Sequence, residues 1–180
     1  MNAIDCIKTR RSIRKFEDTP VDPAQIEQIV EAAAMSPTWK NTQTARYVAV
    51  VDPALKAKIA EECVLGYSHN TEIINSAPAL IVMTTIHGRA GFEKDGSYST
   101  SKEDRWEVFD AGICAQTFCL AAHDAGLGTV ILGVFDDAAV AKALDLPEDQ
   151  IVSCLIPLGH PAESPNGPKR KTVEELLTVR

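Results

Sequence analysis

Apolar residues change their spacing several times along the chain, and each change marks an element. Arg10 follows a short N-terminal helix. Ile26, Ile29, Val30 and Ala33 recur at helical spacing behind Asp22-Pro23-Ala24-Gln25. There an aspartate can accept from the first free N–H groups, proline occupies the first turn without loss, and Gln25 can complete a capping box. Ser36-Pro37 ends that helix. Arg46–Val51 reads as a strand, and Asp52-Pro53 starts a second helix to about Cys63. Ala79-Leu-Ile-Val-Met-Thr-Thr85 is apolar without alternation, which predicts a strand covered on both faces. Residues 87–104 then form a polar, glycine-containing excursion, the expected lid loop. Trp106–Ala125 predicts the longest helix. It is apolar nearly all round, so it belongs at the centre of the domain or in a subunit interface. Gly126 stops it, Thr129–Leu132 is a third strand, Asp136 or Asp137 caps a short helix to Leu144, and Ile151–Leu158 is a fourth strand. Helices outnumber and separate the strands, so an α+β or α/β layered domain follows, spanning 1–180 without an internal linker.

Composition narrows the possible functions. With 45% hydrophobic residues the chain can bury a full core, and its net charge of −7 disfavours nucleic acid or an anionic membrane as partner. No apolar run is long enough to span a bilayer, and the first residues lack the basic and apolar stretches of a secretion signal. Five cysteines with no CxxC pair point to a reduced, cytoplasmic protein. The four histidines are scattered, so no metal site is expected. There is no GxSxG or Walker sequence.

Four stretches remain where chemistry could reside. Arg10, Arg11 and Arg14 crowd three guanidinium groups around Ser12. A shared anion relieves that repulsion, and guanidinium forks match phosphate oxygens, although a solvated charged loop is the commoner outcome of such a motif alone. Ser36–Thr44 is dense in amides and hydroxyls around Trp39, which suits a heterocycle with alternating donor and acceptor edges or, equally, ordinary turn chemistry. Gly126–Gly133 fails as a dinucleotide fingerprint, because its glycines precede the strand instead of following it. It does offer bare backbone at Gly133 for a flat ligand. Lys169-Arg170-Lys171 is either solvated tail or the completion of the charge around an anion held near Arg10.

These stretches, taken in order, resemble the nitroreductase family of FMN enzymes over nearly the whole chain. The resemblance is carried by Arg-Arg-Ser-x-Arg-x-Phe at 10–16, Ser-Pro-Thr-x-x-Asn-x-Gln at 36–43, Asp-Ala-Gly-Ile-Cys-Ala-Gln at 110–116, Gly-Leu-Gly-Thr at 126–129 running to Gly133-Val134-Phe135-Asp136, and Gly159-His-Pro-Ala162 followed by the basic tail. It implies a three-layer α-β-α sandwich with a mainly antiparallel sheet, working as an intertwined homodimer in which 163–180 completes the phosphate site and the dimer. Arg10, Arg11 and Ser12 are implied contacts to the FMN phosphate and ribityl chain, joined at the phosphate by Lys169 and Arg170. Arg14 is implied near the flavin N1/O2 edge, and Asn70 at a flavin edge. Leu132 and Gly133 are implied beside N5, and Pro37, Thr38 and Asn41 reach the flavin from the partner subunit.

NADH or NADPH is then the electron donor and a nitroaromatic or quinone-like small molecule the acceptor, in a ping-pong cycle needing no side-chain acid or base. Trp39 and Thr44-Ala45 depart from the family pattern. Trp39, Phe92, Tyr98 and Trp106 are the expected substrate contacts, and Trp39 with the lid leaves open a specialised relative (a dehalogenase, a flavin-fragmenting enzyme or a dehydrogenase). A flavin-binding module without turnover is the other alternative.

Overall fold

The computed structural model describes residues 1–180. In chain order the elements are α1 (Ala3–Thr9), α2 (Pro23–Ala33), a 3-10 turn (Trp39–Asn41), β1 (Ala45–Val50), α3 (Pro53–Glu62), α4 (Ser68–Ser76), β2 (Ala79–Ile86), α5 (Arg105–Asp124), β3 (Gly128–Thr129), α6 (Asp137–Ala143), β4 (Gln150–Gly159) and α7 (Val173–Leu176). The strands form one sheet in the order β1-β2-β4-β3, and every pair is antiparallel.

β2 shows why its sequence does not alternate. Leu80 and Val82 enter a core shared with α3, α4 and α6, whereas Ala79, Ile81 and Met83 enter a second core shared with α2 and α5. Both faces are therefore covered, which gives the three expected layers. The aspartate starts also hold. The side chains of Asp22 and Asp52 accept from Ala24 N and Leu55 N, each at 2.9 Å. Asp136, not Asp137, caps α6, accepting from Ala139 N at 3.0 Å.

The structure adds one element, shortens another and narrows the place of a third. α4 is absent from the elements expected from the sequence, because only Ile73 and Ile74 of its nine residues are apolar, and its third buried residue, Asn70, is polar. The third strand is shorter than Thr129–Leu132: the ladder covers Gly128–Thr129, and Leu132 rejoins the sheet through an isolated bridge to Leu155. α5 is not enclosed on every side within one chain. Its face toward the sheet is buried, but Val108 is 75% exposed and Phe109 57%. Ile4 and Ile7 of the neighbouring α1 are exposed as well.

Candidate flavin site

The Arg10–Arg14 loop is spliced to the sheet. Ile13 N donates to Thr129 O at 2.9 Å, and Ser12 pairs with Thr129 in a parallel bridge. Gly128 makes this approach possible, since a Cβ there would lie 2.8–2.9 Å from three carbons of the Ile13 side chain. From Thr129 four residues lead to Gly133, and the third of them, Leu132, rejoins the sheet through its bridge to Leu155. The basic loop and the bare backbone at Gly133 thus lie at two ends of one short track.

The C-terminal tail folds back over the basic end. A 150 Å³ cavity is lined by Arg10, Arg11, Ser12, Arg14, Pro165, Asn166, Pro168 and Arg170, with no hydrophobic residue among them. Arg11 fixes the tail: Gly167 lies so close that a Cβ would meet the guanidinium at 2.7 Å. The same guanidinium donates to Lys8 O at 2.8 Å and Arg10 O at 2.9 Å. Glu163 accepts from Arg14 N at 2.6 Å. Four guanidinium groups and a hydroxyl around a small polar hollow suit a phosphate. Lys169 does not line this hollow, so of the two expected tail contacts the structure brings in Arg170. Pro165, Asn166, Gly167 and Glu163 carry no charge pattern that would have marked them in the sequence.

His123, at the end of α5, contacts Thr9 Oγ1 at 2.9 Å and lines the adjoining cavity with Arg10 and Arg11. Burial and the two guanidinium groups hold its ring below the ordinary imidazole range, so it adds no further positive charge at neutral pH.

At the other end of the track, Leu132 is buried and pairs with Leu155 in both directions, at 2.8 and 3.2 Å. Gly133 is exposed, nothing lies within 4 Å of where its Cβ would be, and no protein group accepts from its N–H. Asn70, buried on α4, donates from Nδ2 to Val134 O at 3.0 Å and so buttresses this backbone. Its Oδ1 makes no hydrogen bond with the protein.

Pro37, Thr38 and Asn41 do not line the basic cavity of their own chain. They sit on a tight loop above α5, where Trp39 N donates to Asp110 at 2.8 Å and Gln43 N donates to Thr38 Oγ1 at 3.0 Å. Trp39 packs against Trp106 with centroids 4.6 Å apart and the rings tilted by 43°, and Trp106 meets Phe109 edge-on at 5.4 Å. Within residues 87–104 a short hairpin forms about Phe92–Tyr98, flanked by turns. Glu93 N donates to Ser97 O, and Phe92 and Tyr98 pair across it with rings 5.0 Å apart. Its Glu93 accepts from Lys40 Nζ at 3.0 Å and from Ser99, contacts that hold the carboxylate below its usual range. The four expected substrate-contact aromatics thus form two pairs, Trp39 with Trp106 and Phe92 with Tyr98, joined by the Lys40–Glu93 contact.

The model of the nitroreductase family matches residues 7–72 and 65–160. An NADPH-flavin oxidoreductase from Vibrio harveyi is 30% identical over 167 residues, covering 91% of this chain and 68% of that protein. The crystal structure of a nitroreductase family protein from Streptococcus pneumoniae superimposes with a TM-score of 0.86 at 25% identity, over 99% of this chain and 100% of that one. A protein from Exiguobacterium sibiricum crystallised in complex with FMN has the same fold, with a TM-score of 0.83 at 17% identity, over 100% of this chain and 98% of that one. With its basic loop, Gly133 track and tail on one sheet edge, the chain belongs to the nitroreductase family.

Proposed function

We propose that the chain is an FMN-dependent oxidoreductase that takes hydride from NADH or NADPH and reduces nitroaromatic or quinone-like acceptors. The observation that carries this reading is the polar, four-arginine hollow joined by a short stretch of chain at the sheet edge to an open backbone N–H. Its polarity and size fit a phosphate, and the uncovered Gly133 fits a flat ring. The name of the Vibrio harveyi relative and the FMN in the Exiguobacterium sibiricum complex agree with this choice of cofactor.

Arg10, Arg11, Ser12 and Arg170 would hold the phosphate, and Arg14, which lines the same hollow, would have to reach out from it to bring positive charge to the N1/O2 edge. The Gly133 N–H would donate to the flavin N5. Lys169, one residue from Arg170, lies outside the hollow and would act through long-range charge only. When bound, FMN supplies the hydride transfer itself, with donor and acceptor using one face in turn. The protein then contributes orientation and electrostatics, in keeping with the lack of a side-chain acid or base at Gly133.

A homodimer completes this reading. Val108 and Phe109 leave an apolar face on α5, and the tail beyond Arg170 presents Val173, Leu176, Leu177 and Val179 to solvent. A second copy is the partner whose own loop at Pro37, Thr38 and Asn41 would then meet the flavin. No helix is long and apolar enough to cross a membrane. A narrower acceptor range is the second reading, favoured by the bulk of Trp39 packed on Trp106.

The test is an absorbance spectrum of the purified protein with FMN, followed by anaerobic titration with NADH and NADPH. The expected result is a bound yellow flavin bleached by a pyridine nucleotide and recoloured by a quinone or nitroaromatic. A protein that gains no flavin absorbance contradicts the proposal, and bound flavin that no nucleotide bleaches leaves a binding module instead. Turnover confined to one acceptor class would select the narrower reading.

A further inference from the structure

One stripe of α5, repeating every four residues, grips the segment Ser36–Tyr47 throughout. The Trp106 ring lies on Trp39, Asp110 accepts from Trp39 N, Cys114 faces Ser36, and Phe118 stacks on Tyr47 at 5.4 Å. Three of these contacts are the ordinary business of a core. Asp110 is not. It is 3% exposed, and whereas Glu107, the other buried carboxylate of α5, contacts both His87 and Gly88 N, Trp39 N–H is the only hydrogen-bond donor to Asp110. An apolar residue there would be cheaper to bury, since a carboxylate taken out of water needs compensation that one amide supplies only in part. Burial accordingly pushes its carboxyl above the usual range, with the Trp39 amide opposing the shift.

The segment it grips is strained and unfinished. Lys40, Asn41 and Gln43 all take left-handed backbone angles, with φ of 45°, 55° and 50°. Non-glycine residues keep such angles only where their surroundings over-determine them. All four buried side-chain polar atoms of the chain that lack a partner also fall here: Ser36 Oγ, Trp39 Nε1, Thr42 Oγ1 and Tyr47 OH.

We propose that Asp110 is a positioning residue: by accepting the Trp39 N–H it fixes the Pro37–Asn41 loop in the conformation that meets the flavin bound by a second copy. This rests on the functional reading above. Asp110 touches neither the basic cavity nor Gly133, so its effect belongs to the ring end of the ligand alone.

The experiment compares the dissociation constants of FMN and riboflavin for the wild-type protein, Asp110→Ala and Asp110→Asn, alongside trypsin cleavage after Lys40 in the flavin-free proteins. Asp110→Ala is expected to weaken FMN and riboflavin by the same factor, about tenfold, leaving their ratio unchanged. Cleavage after Lys40 should accelerate. Asp110→Asn, whose side-chain oxygen still accepts from Trp39 N–H, should restore both affinities and protease resistance. Should the alanine variant fail to fold, Asp110→Leu fills the space without an acceptor and is read in its place. Val140→Ala, in the opposite core, should lower the melting temperature without changing either affinity, which separates positioning from stability. If the wild type binds FMN and the variant lacking the acceptor binds it equally well, the assignment is overturned. It is also overturned if Asn fails to rescue. A wild type that takes up no FMN overturns the functional reading, and the assignment with it.

Discussion

The two ends of the candidate site are built on different principles. At the phosphate end everything comes from one chain: the loop is hydrogen-bonded to β3, the tail is packed by Gly167 against Arg11, and the hollow is lined by groups of one sign. At the ring end the loop Ser36–Gln43 stands away from that hollow, carries left-handed backbone, and belongs to the segment that holds every unpartnered buried side-chain polar atom. On the proposed reading the first end is an anion receptor built by one chain, and the second is a half-site that a second copy would complete. The difference teaches that affinity for the cofactor's tail and placement of its ring can be lost separately.

The largest expected effect comes from removing the second surface. Val108→Glu places a carboxylate on the exposed apolar face of α5, and burying it unpaired would cost several kcal/mol. Sizing or analytical ultracentrifugation should show dimer association weakened by about a hundredfold or more. FMN should then lose affinity while keeping its preference over riboflavin.

Next is Arg10→Ala, which attacks the phosphate end. Arg10 lines the hollow and makes no side-chain hydrogen bond elsewhere, whereas Arg11 is occupied with two carbonyls and the tail. Loss of one charge-assisted contact should weaken FMN by about 1–3 kcal/mol in a fluorescence titration and leave riboflavin nearly unchanged. Gly128→Ala sharpens the same point through the backbone. Its Cβ would press on Ile13 and push the basic loop off β3, so calorimetry should show about 1–3 kcal/mol of lost stability together with weaker FMN.

The smallest expected effect is a pH dependence. Because the folded protein holds His123 below the ordinary imidazole range, the unfolded chain takes up this proton first. The stability linked to it is intact at neutral pH and lost as the pH falls through the folded value. Melting temperature without FMN should therefore fall between about pH 7 and pH 5. His123→Gln should flatten that fall, and FMN, whose phosphate offsets Arg10 and Arg11, should flatten it too.

These tests bear on what the sequence made legible. The helix starts at Asp22-Pro23 and Asp52-Pro53 and the doubly covered strand at Ala79–Ile86 were readable, because each rests on local capping or on a run of one residue class. The Arg10–Arg14 cluster and Arg170 were readable as partners for the same reason: charge of one sign is conspicuous in an acidic chain. α4 was not, since its helix is set by packing of Ile73 and Ile74 and by Asn70 reaching Val134. Nor were the roles of Gly167 and Asp110 readable, for both depend on contacts between residues more than seventy positions apart. The exposed face of α5 looks in sequence like the buried one, since an interface and a core select the same residues.

The most direct test of the account is a crystal structure of the protein grown with FMN. The account predicts phosphate density among Arg10, Ser12 and Arg170, the ring against Gly133, and the Pro37–Asn41 loop of a second copy over that ring. Arginines turned apart into solvent, with the cofactor elsewhere or absent, would contradict it.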